Sequence, residues 1–114
     1  NVFNHGKHIR DFTYIDDVIK ILIKIKNSTP KGDVPYQCLN IANSKPIKIM
    51  DYIKLISRVL KKNVNIKYSN LQKGDVKKTH ASIKIIKQKV GKFKVTKLEE
   101  GLKKYHKWFI NYYH

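Results

Sequence analysis

Arginine is rare in this sequence of 114 residues, and one of its two copies lies in the segment HIRDFTYIDDVI, residues 8–19. Lysine supplies the other 23 of the 25 Lys and Arg residues, so the choice of arginine at position 10 invites a chemical reason. A planar guanidinium group can grip a phosphate or a carboxylate with two parallel hydrogen bonds, whereas lysine offers a point charge. Arg10 is therefore a candidate phosphate ligand, and an ordinary exposed arginine is the alternative.

A second candidate group lies in the loop SNLQKGDVKKTH, residues 69–80, which has no apolar periodicity. Gly74 allows the backbone to approach a ligand closely, and the neighbouring carboxylate of Asp75 can accept hydrogen bonds from hydroxyl groups. The spacing alone favours a plain surface turn. This loop therefore predicts a ligand site only in combination with other residues.

Histidine and cysteine offer little further chemistry. His5 and His8 are close in sequence, but no third ligand follows at a helpful spacing, so we predict no metal site. The lone Cys38 excludes an internal disulfide and a zinc-finger framework. It is expected to pack as a small apolar residue, and a reducing cytoplasm is the simplest compartment.

The formal net charge of +17 suggests a nucleic-acid partner. A duller cause is available, because Lys, Ile and Asn together make up 48 of the 114 residues and their codons are rich in A and T. The lysines are also spread from Lys7 to Lys107 and form no single block. We therefore favour a biased genome over a nucleic-acid function, which stays open as the alternative. No apolar run approaches the roughly 20 residues that span a bilayer, so no membrane is expected.

Apolar spacing predicts four helices. The first begins at Asp16 and Asp17 as helix-capping residues, the third runs over 82–90 and stops at Gly91, and a capping box at 96–99 starts the fourth. The predicted apolar faces are Ile15, Val18, Ile19 and Leu22 in the first helix, Ile49, Ile53, Ile56 and Leu60 in the second, and Leu98, Leu102, Tyr105, Phe109 and Tyr112 in the last.

Short strands are predicted over 2–4, 12–15, 36–42 and 63–68, which gives an α+β fold. At this length we expect one domain, residues 1–114. The strand 36–42 should be poorly covered on one side, because the chain is too short to bury its apolar residues on both faces. The sequence starts with Asn1 and not with Met, so a piece of a longer protein is expected.

The motifs taken in order resemble a known family. VFN, RDFTYIDD, YQCLNIAN and QKGDV are followed by TKLEEG and a final WFINYY. This series resembles the C-terminal, substrate-binding portion of NAD-dependent nucleotide-sugar epimerases in the extended short-chain dehydrogenase/reductase family, most like UDP-glucuronate 4-epimerase. The resemblance covers nearly the whole chain.

The resemblance implies a UDP-sugar ligand and roles for four residues. Phe3 would lie against the uracil, Arg10 would contact the diphosphate, Gln72 would stand near the phosphates, and Asp75 would reach the ribose hydroxyls. The role implied for Arg10 agrees with the argument from its guanidinium geometry.

The parts that carry the family's reaction are missing from these 114 residues. NAD needs a glycine-rich turn before a helix, yet the five glycines stand far apart. The family's base is a Tyr-x-x-x-Lys pair, and every complete Tyr-x-x-x window here ends in another residue. We therefore expect no catalytic residue and no Rossmann domain in this chain. A separate N-terminal half that binds NAD is the partner that the resemblance implies.

Overall fold

A computed structural model describes residues 1–113 and has four α-helices and a small sheet in that range. A 3-10 turn at Phe3–Gly6 precedes the first strand. The strands are β1 (Ile9–Arg10) and β2 (Ile47–Lys48), and the helices are α1 (Ile15–Ile25), α2 (Ile49–Leu60), α3 (Lys84–Val90) and α4 (Leu98–Tyr113). The predicted α+β class with four helices and short strands is confirmed.

Pairing around β1 brings distant segments together. β1 pairs antiparallel with β2, with Ile9 opposite Lys48 and Arg10 opposite Ile47. On its other side Ile9 donates its N–H to the carbonyl of Lys77 (3.0 Å) and accepts the N–H of Thr79 (3.1 Å). This parallel bridge fixes residues 77–79 beside β1, so the preceding loop must lie close to Arg10.

A small hydrophobic core lies between α1 and α3. Its buried members are Ile21, Ala42, Ile83 and Ile86, and Ile86 is only 1% exposed. The end of α3 agrees with the prediction from the sequence. The helix stops at Gly91, whose φ of 76° suits glycine.

The predicted apolar face of α1 is wrong. Ile15, Ile19 and Leu22 are 61%, 47% and 45% exposed, whereas Asp17 and Ile21 are buried. The cause is a pair of hydrogen bonds from a distant residue, Thr96. Its backbone N–H and its hydroxyl donate to the two carboxylate oxygens of Asp17, at 2.6 and 2.9 Å. These bonds stabilise a buried charge and turn the Asp17 side of the helix inward.

The same bonds overturn the predicted capping box at the start of α4. The hydroxyl of Thr96 donates to Asp17, and so does its backbone N–H, which the Glu99 carboxylate would accept in a capping box. Glu99 instead pairs with Arg58 of α2 and with Lys103, both at 2.8 Å. Glu99 therefore connects two packed helices, and α4 rests on α2 with Leu102 buried.

None of the four predicted strands forms as such among residues 1–113. Residues 2–4 enter the 3-10 turn, where Asn4 and His5 have φ near +50°. The segment 63–68 contributes one bridge, from Tyr68 to Val2, and 12–15 leads directly into α1. The stretch 36–42 has no regular secondary structure and no strand partner within the part of the chain described.

No helix within residues 1–113 is long and apolar enough to cross a bilayer.

Candidate functional site

Arg10 and Asp75 form an ion pair although 65 residues separate them. Nη2 of Arg10 donates to Oδ1 of Asp75 at 2.9 Å, while Nη1 donates to the carbonyl of Ile9 at 3.1 Å. Both side chains are about one quarter exposed, at 23% and 27%. The guanidinium group is therefore anchored on one side and retains access to solvent on the other.

The loop before this pair presents Asp75 in a defined turn. The N–H of Asp75 donates to the carbonyl of Gln72 at 3.2 Å, and Gly74 adopts a φ of +83°, which an L-residue rarely takes. The glycine in the Gly-Asp pair is thus required by the backbone. Its placement directs the carboxylate of Asp75 toward β1 and the side chain of Gln72 toward solvent.

An open cavity of about 350 Å³ lies beside the ion pair. Phe3, Arg10 and Asp75 all line it, as does the buried His8. The remaining walls come from the chain start and from one side of α2, namely Asn1, Val2, Ile49, Tyr52, Ile53 and Ile56. A charged end and an apolar end in one cleft suit a ligand that carries both a phosphate and a flat ring.

The structure thus brings together three of the four residues predicted as ligands. Phe3, Arg10 and Asp75 share the cavity, while the side chain of Gln72 is exposed on the adjacent loop and does not line it. The ligand roles of all four residues remain predictions.

Asp11, which directly follows Arg10, organises the loops behind the site. Its carboxylate accepts the backbone N–H groups of Ser44 (3.0 Å), Lys45 (3.2 Å) and Ala81 (3.5 Å). Its own N–H donates to the hydroxyl of Thr79 at 3.1 Å. The two neighbouring residues therefore have different roles. Arg10 faces the cavity, and Asp11 joins the segments 44–45 and 79–81 to the end of β1. Sequence reasoning missed this role, and the only signal for it was the position next to Arg10.

Two tyrosines near the site have raised pKa values. Burial raises the pKa of Tyr52, whose ring stacks on Phe12 with centroids 4.0 Å apart. Burial also raises the pKa of Tyr14, and the carboxylate of Asp16 adds to the effect. Both phenols therefore stay protonated at neutral pH. A tyrosine that acts as a base needs the opposite shift.

Metal binding finds no support within residues 1–113, where no group of three His, Cys, Asp or Glu side chains could hold an ion. The imidazole of His5 is 2.9 Å from the amide oxygen of Asn70, and His8 faces Asp75.

Comparisons with known proteins find similarity to a portion of several sugar-nucleotide epimerases. No protein-family model matches it. An uncharacterized protein of Methanocaldococcus jannaschii is 41% identical over 110 residues, which are 96% of this chain and 32% of that protein. UDP-glucuronate 4-epimerase 4 of Arabidopsis thaliana is 32% identical over 120 residues, covering 96% of this chain and 28% of the plant protein. The chain thus spans about a third of the length of the relatives that it matches.

Solved structures give the same answer for the fold. The UDP-N-acetylglucosamine 4-epimerase of Methanobrevibacter ruminantium, in complex with UDP-N-acetylmuramic acid, is 30% identical and superposes with a TM-score of 0.81. The match covers 97% of this chain and 34% of that one.

A mutant UDP-glucuronic acid 4-epimerase of Bacillus cereus, in complex with a fluorinated UDP-glucuronic acid and NAD, is 25% identical and superposes with a TM-score of 0.83. The match covers 98% of this chain and 35% of the Bacillus chain. NAD is therefore the cofactor of the parent family. The chain corresponds, in sequence and in fold, to the C-terminal portion of an NAD-dependent nucleotide-sugar epimerase of the extended short-chain dehydrogenase/reductase family.

Proposed function

We propose that this chain is the UDP-sugar-binding part of a sugar-nucleotide 4-epimerase of the UDP-glucuronate 4-epimerase type, and that it does not catalyse the reaction alone. The observation that carries the proposal is the joint position of Phe3, Arg10 and Asp75 on one cavity. Relatives named as UDP-glucuronate 4-epimerases support the choice of ligand.

The cavity offers one contact for each part of a nucleoside diphosphate. Arg10 holds the diphosphate through its guanidinium group, Asp75 accepts the ribose hydroxyls, and Phe3 packs on the uracil. Gln72 stands on the loop beside Asp75 and outside the cavity, so its role near the phosphates rests on the family resemblance alone. Charge-assisted hydrogen bonds contribute roughly 1.5–3 kcal/mol each. Because the rest of the epimerase site is absent from this chain, we expect UDP to bind weakly, on the order of millimolar.

The lack of activity follows from missing groups. The chain has neither the glycine-rich NAD turn nor a Tyr-x-x-x-Lys pair. The raised pKa values of Tyr14 and Tyr52 speak against either phenol as a substitute base.

A partner that binds NAD completes the proposal. The chain spans about a third of its relatives, and α1 leaves Ile15, Ile19 and Ile23 at least 47% exposed. An apolar surface of this kind is typical of a face that another domain covers. We propose that the NAD-binding half covers it, either as a separate chain or as a preceding segment. The thiol of Cys38 is free and exposed, so the prediction that it packs as a small apolar residue is wrong. A free thiol suits a reducing compartment, and the proposed compartment is the cytoplasm.

The first experiment is a UDP titration followed by amide NMR shifts. We expect shifts at Phe3, Arg10 and Asp75 in the wild type and weaker binding in Arg10→Lys, since the fork is lost while the charge stays. The matched control is Arg58→Lys, which changes the other arginine on the exposed α2–α4 contact. Shifts confined to scattered lysines, equal in all three proteins, would contradict the proposed site.

A second experiment tests catalysis and the alternative function. The purified chain incubated with UDP-glucuronate and NAD should form no UDP-galacturonate, and turnover would overturn the proposal. Binding to nucleic acid that weakens steeply with salt, together with no UDP binding, would favour the basic nucleic-acid-binding alternative.

A further inference from the structure

His8 is a buried polar residue to which neither the sequence motifs nor the proposed contacts assign a role. It is 6% exposed, and it lines the same cavity as Arg10 and Asp75. Its Nε2 lies 3.2 Å from Oδ2 of Asp75. The alignment falls short of a regular hydrogen bond, and no other partner for this nitrogen exists among residues 1–113. A buried nitrogen without a hydrogen-bond partner lowers the stability of the fold. The carboxylate of Asp75 is the acceptor that lies near this nitrogen, so the contact between the two side chains is significant.

The two oxygens of Asp75 face different partners. Oδ1 is bound by Arg10 at 2.9 Å, and Oδ2 faces His8. In this arrangement each carboxylate oxygen is directed at a protein group, and a ribose hydroxyl can reach only the acceptor sites that these groups leave open. A diphosphate that enters the cavity competes for the guanidinium group of Arg10, because both acceptors are anionic. When Arg10 turns to the phosphates, Oδ1 is released and His8 remains as the partner of Asp75.

The backbone makes His8 a fixed point for this exchange. The carbonyl of His8 accepts the N–H of Ile49 at 2.8 Å, which ties it to the first residue of α2. The next residue, Ile9, bridges to residues 77–79, just beyond Asp75. His8 and Asp75 are therefore held near each other by main-chain contacts that do not depend on Arg10.

From this geometry we infer that His8 is a positioning residue that retains Asp75 for the ribose hydroxyls once the diphosphate has drawn Arg10 away. Nε2–H donates to Oδ2, and Oδ1 becomes free to accept a hydroxyl. The inference rests on the proposed function, because it adds a residue to the same nucleotide site. It also assigns the two parts of the ligand to different residues. Arg10 binds the diphosphate, and the His8–Asp75 pair binds the ribose.

The test compares two ligands in three proteins. UDP contains a ribose, whereas inorganic pyrophosphate offers only the group for Arg10. In His8→Phe, which fills the space without a donor, we expect UDP to bind about fivefold more weakly, the factor that one hydrogen bond is worth, with pyrophosphate unchanged. His8→Gln should restore UDP binding, because its carboxamide nitrogen stands about where Nε2 does. Equal weakening of both ligands, or no recovery in His8→Gln, would overturn the inference.

A readout without ligand separates this inference from the proposed function. The ring ¹⁵N resonances of His8 should shift in Asp75→Asn and stay in place in Asp33→Asn, an exposed control. Unmoved resonances in Asp75→Asn would overturn the role of His8 even if UDP binds. If the resonances move but the wild type binds neither UDP nor pyrophosphate, the contact stands, and both the nucleotide site and the positioning role are overturned.

Discussion

The two faces of α1 carry the same residue types, but one face is buried within the chain and the other is exposed. On the inner face Asp17 and Ile21 are 4% and 3% exposed. On the outer face Asp16 is exposed and Ile23 is 60% exposed. Helical spacing recognises such a helix but does not say which face the chain itself covers. The Asp17 face is the covered one, because Thr96 supplies two hydrogen-bond donors to the carboxylate of Asp17.

The difference separates what this chain stabilises by itself from what it presents to another molecule. The inner face joins the core of α3 and the turn before α4, so it belongs to the scaffold that holds the cavity. The outer face contributes exposed apolar area, which does not stabilise the chain alone. Matched substitutions on the two faces should therefore have very different effects.

The largest difference is expected between two isoleucines. Ile21→Ala removes a buried side chain from the core and should lower the free energy of unfolding by about 3 kcal/mol. Ile23→Ala should change it by less than about 0.5 kcal/mol. Urea denaturation followed by circular dichroism measures both. Similar losses would mean that the outer face is also covered in the free chain, and the comparison would fail.

The next difference concerns two adjacent carboxylates. Asp17→Asn replaces an acceptor of two hydrogen bonds by a group with one acceptor oxygen, and it should cost about 2 kcal/mol. Asp16→Asn weakens only a favourable charge near the start of the helix, worth less than about 0.5 kcal/mol. Thermal unfolding of the two variants under the same conditions distinguishes them. A greater cost for Asp16→Asn would contradict the burial pattern.

A smaller effect is expected when only the hydroxyl donor is removed. Thr96→Val keeps the shape and the backbone N–H but loses the bond to Oδ1 of Asp17, so it should cost about 1 kcal/mol. Thr29→Val, in an exposed loop, serves as the control. If Thr96→Val also shortens α4, as judged by amide exchange at its first turn, then the capping box that we reject would be restored.

The smallest effect belongs to a surface pair far from α1. Hydrogen bonding to Lys103, aided by Arg58, lowers the pKa of Glu99. A lowered pKa in the folded state stabilises the chain above the unfolded glutamate pKa of about 4.3, and this contribution is lost as the pH falls through the folded value. Between pH 6 and 3 the wild type should therefore lose stability relative to Glu99→Gln. Parallel pH profiles for the two proteins would refute the assignment.

Local sequence information was enough for the helices, and long-range information was needed for the site. The apolar spacing of Ile49 to Leu60 and the stop at Gly91 depend on neighbouring residues, and both agree with the structure. Asp17 meets Thr96 across 79 positions, and no local pattern announces that contact. Arg10 and Asp75 were predicted to lie at one cleft only because a family resemblance linked two loops. The strand predicted over 36–42 is wrong for a related reason, since its apolar content does not by itself supply a strand to pair with among residues 1–113.

The stretch 36–42 affects how newly made copies of the chain associate. No segment among residues 1–113 pairs with it as a strand, and Val34 before it and Tyr36 at its start are exposed. A segment without a strand partner can pair with a strand from whichever molecule arrives first. We expect newly made copies to compete for it with their proper partner, so that sedimentation shows self-association as the concentration rises. Supply of the partner would then decide between assembly and loss to aggregation or proteolysis.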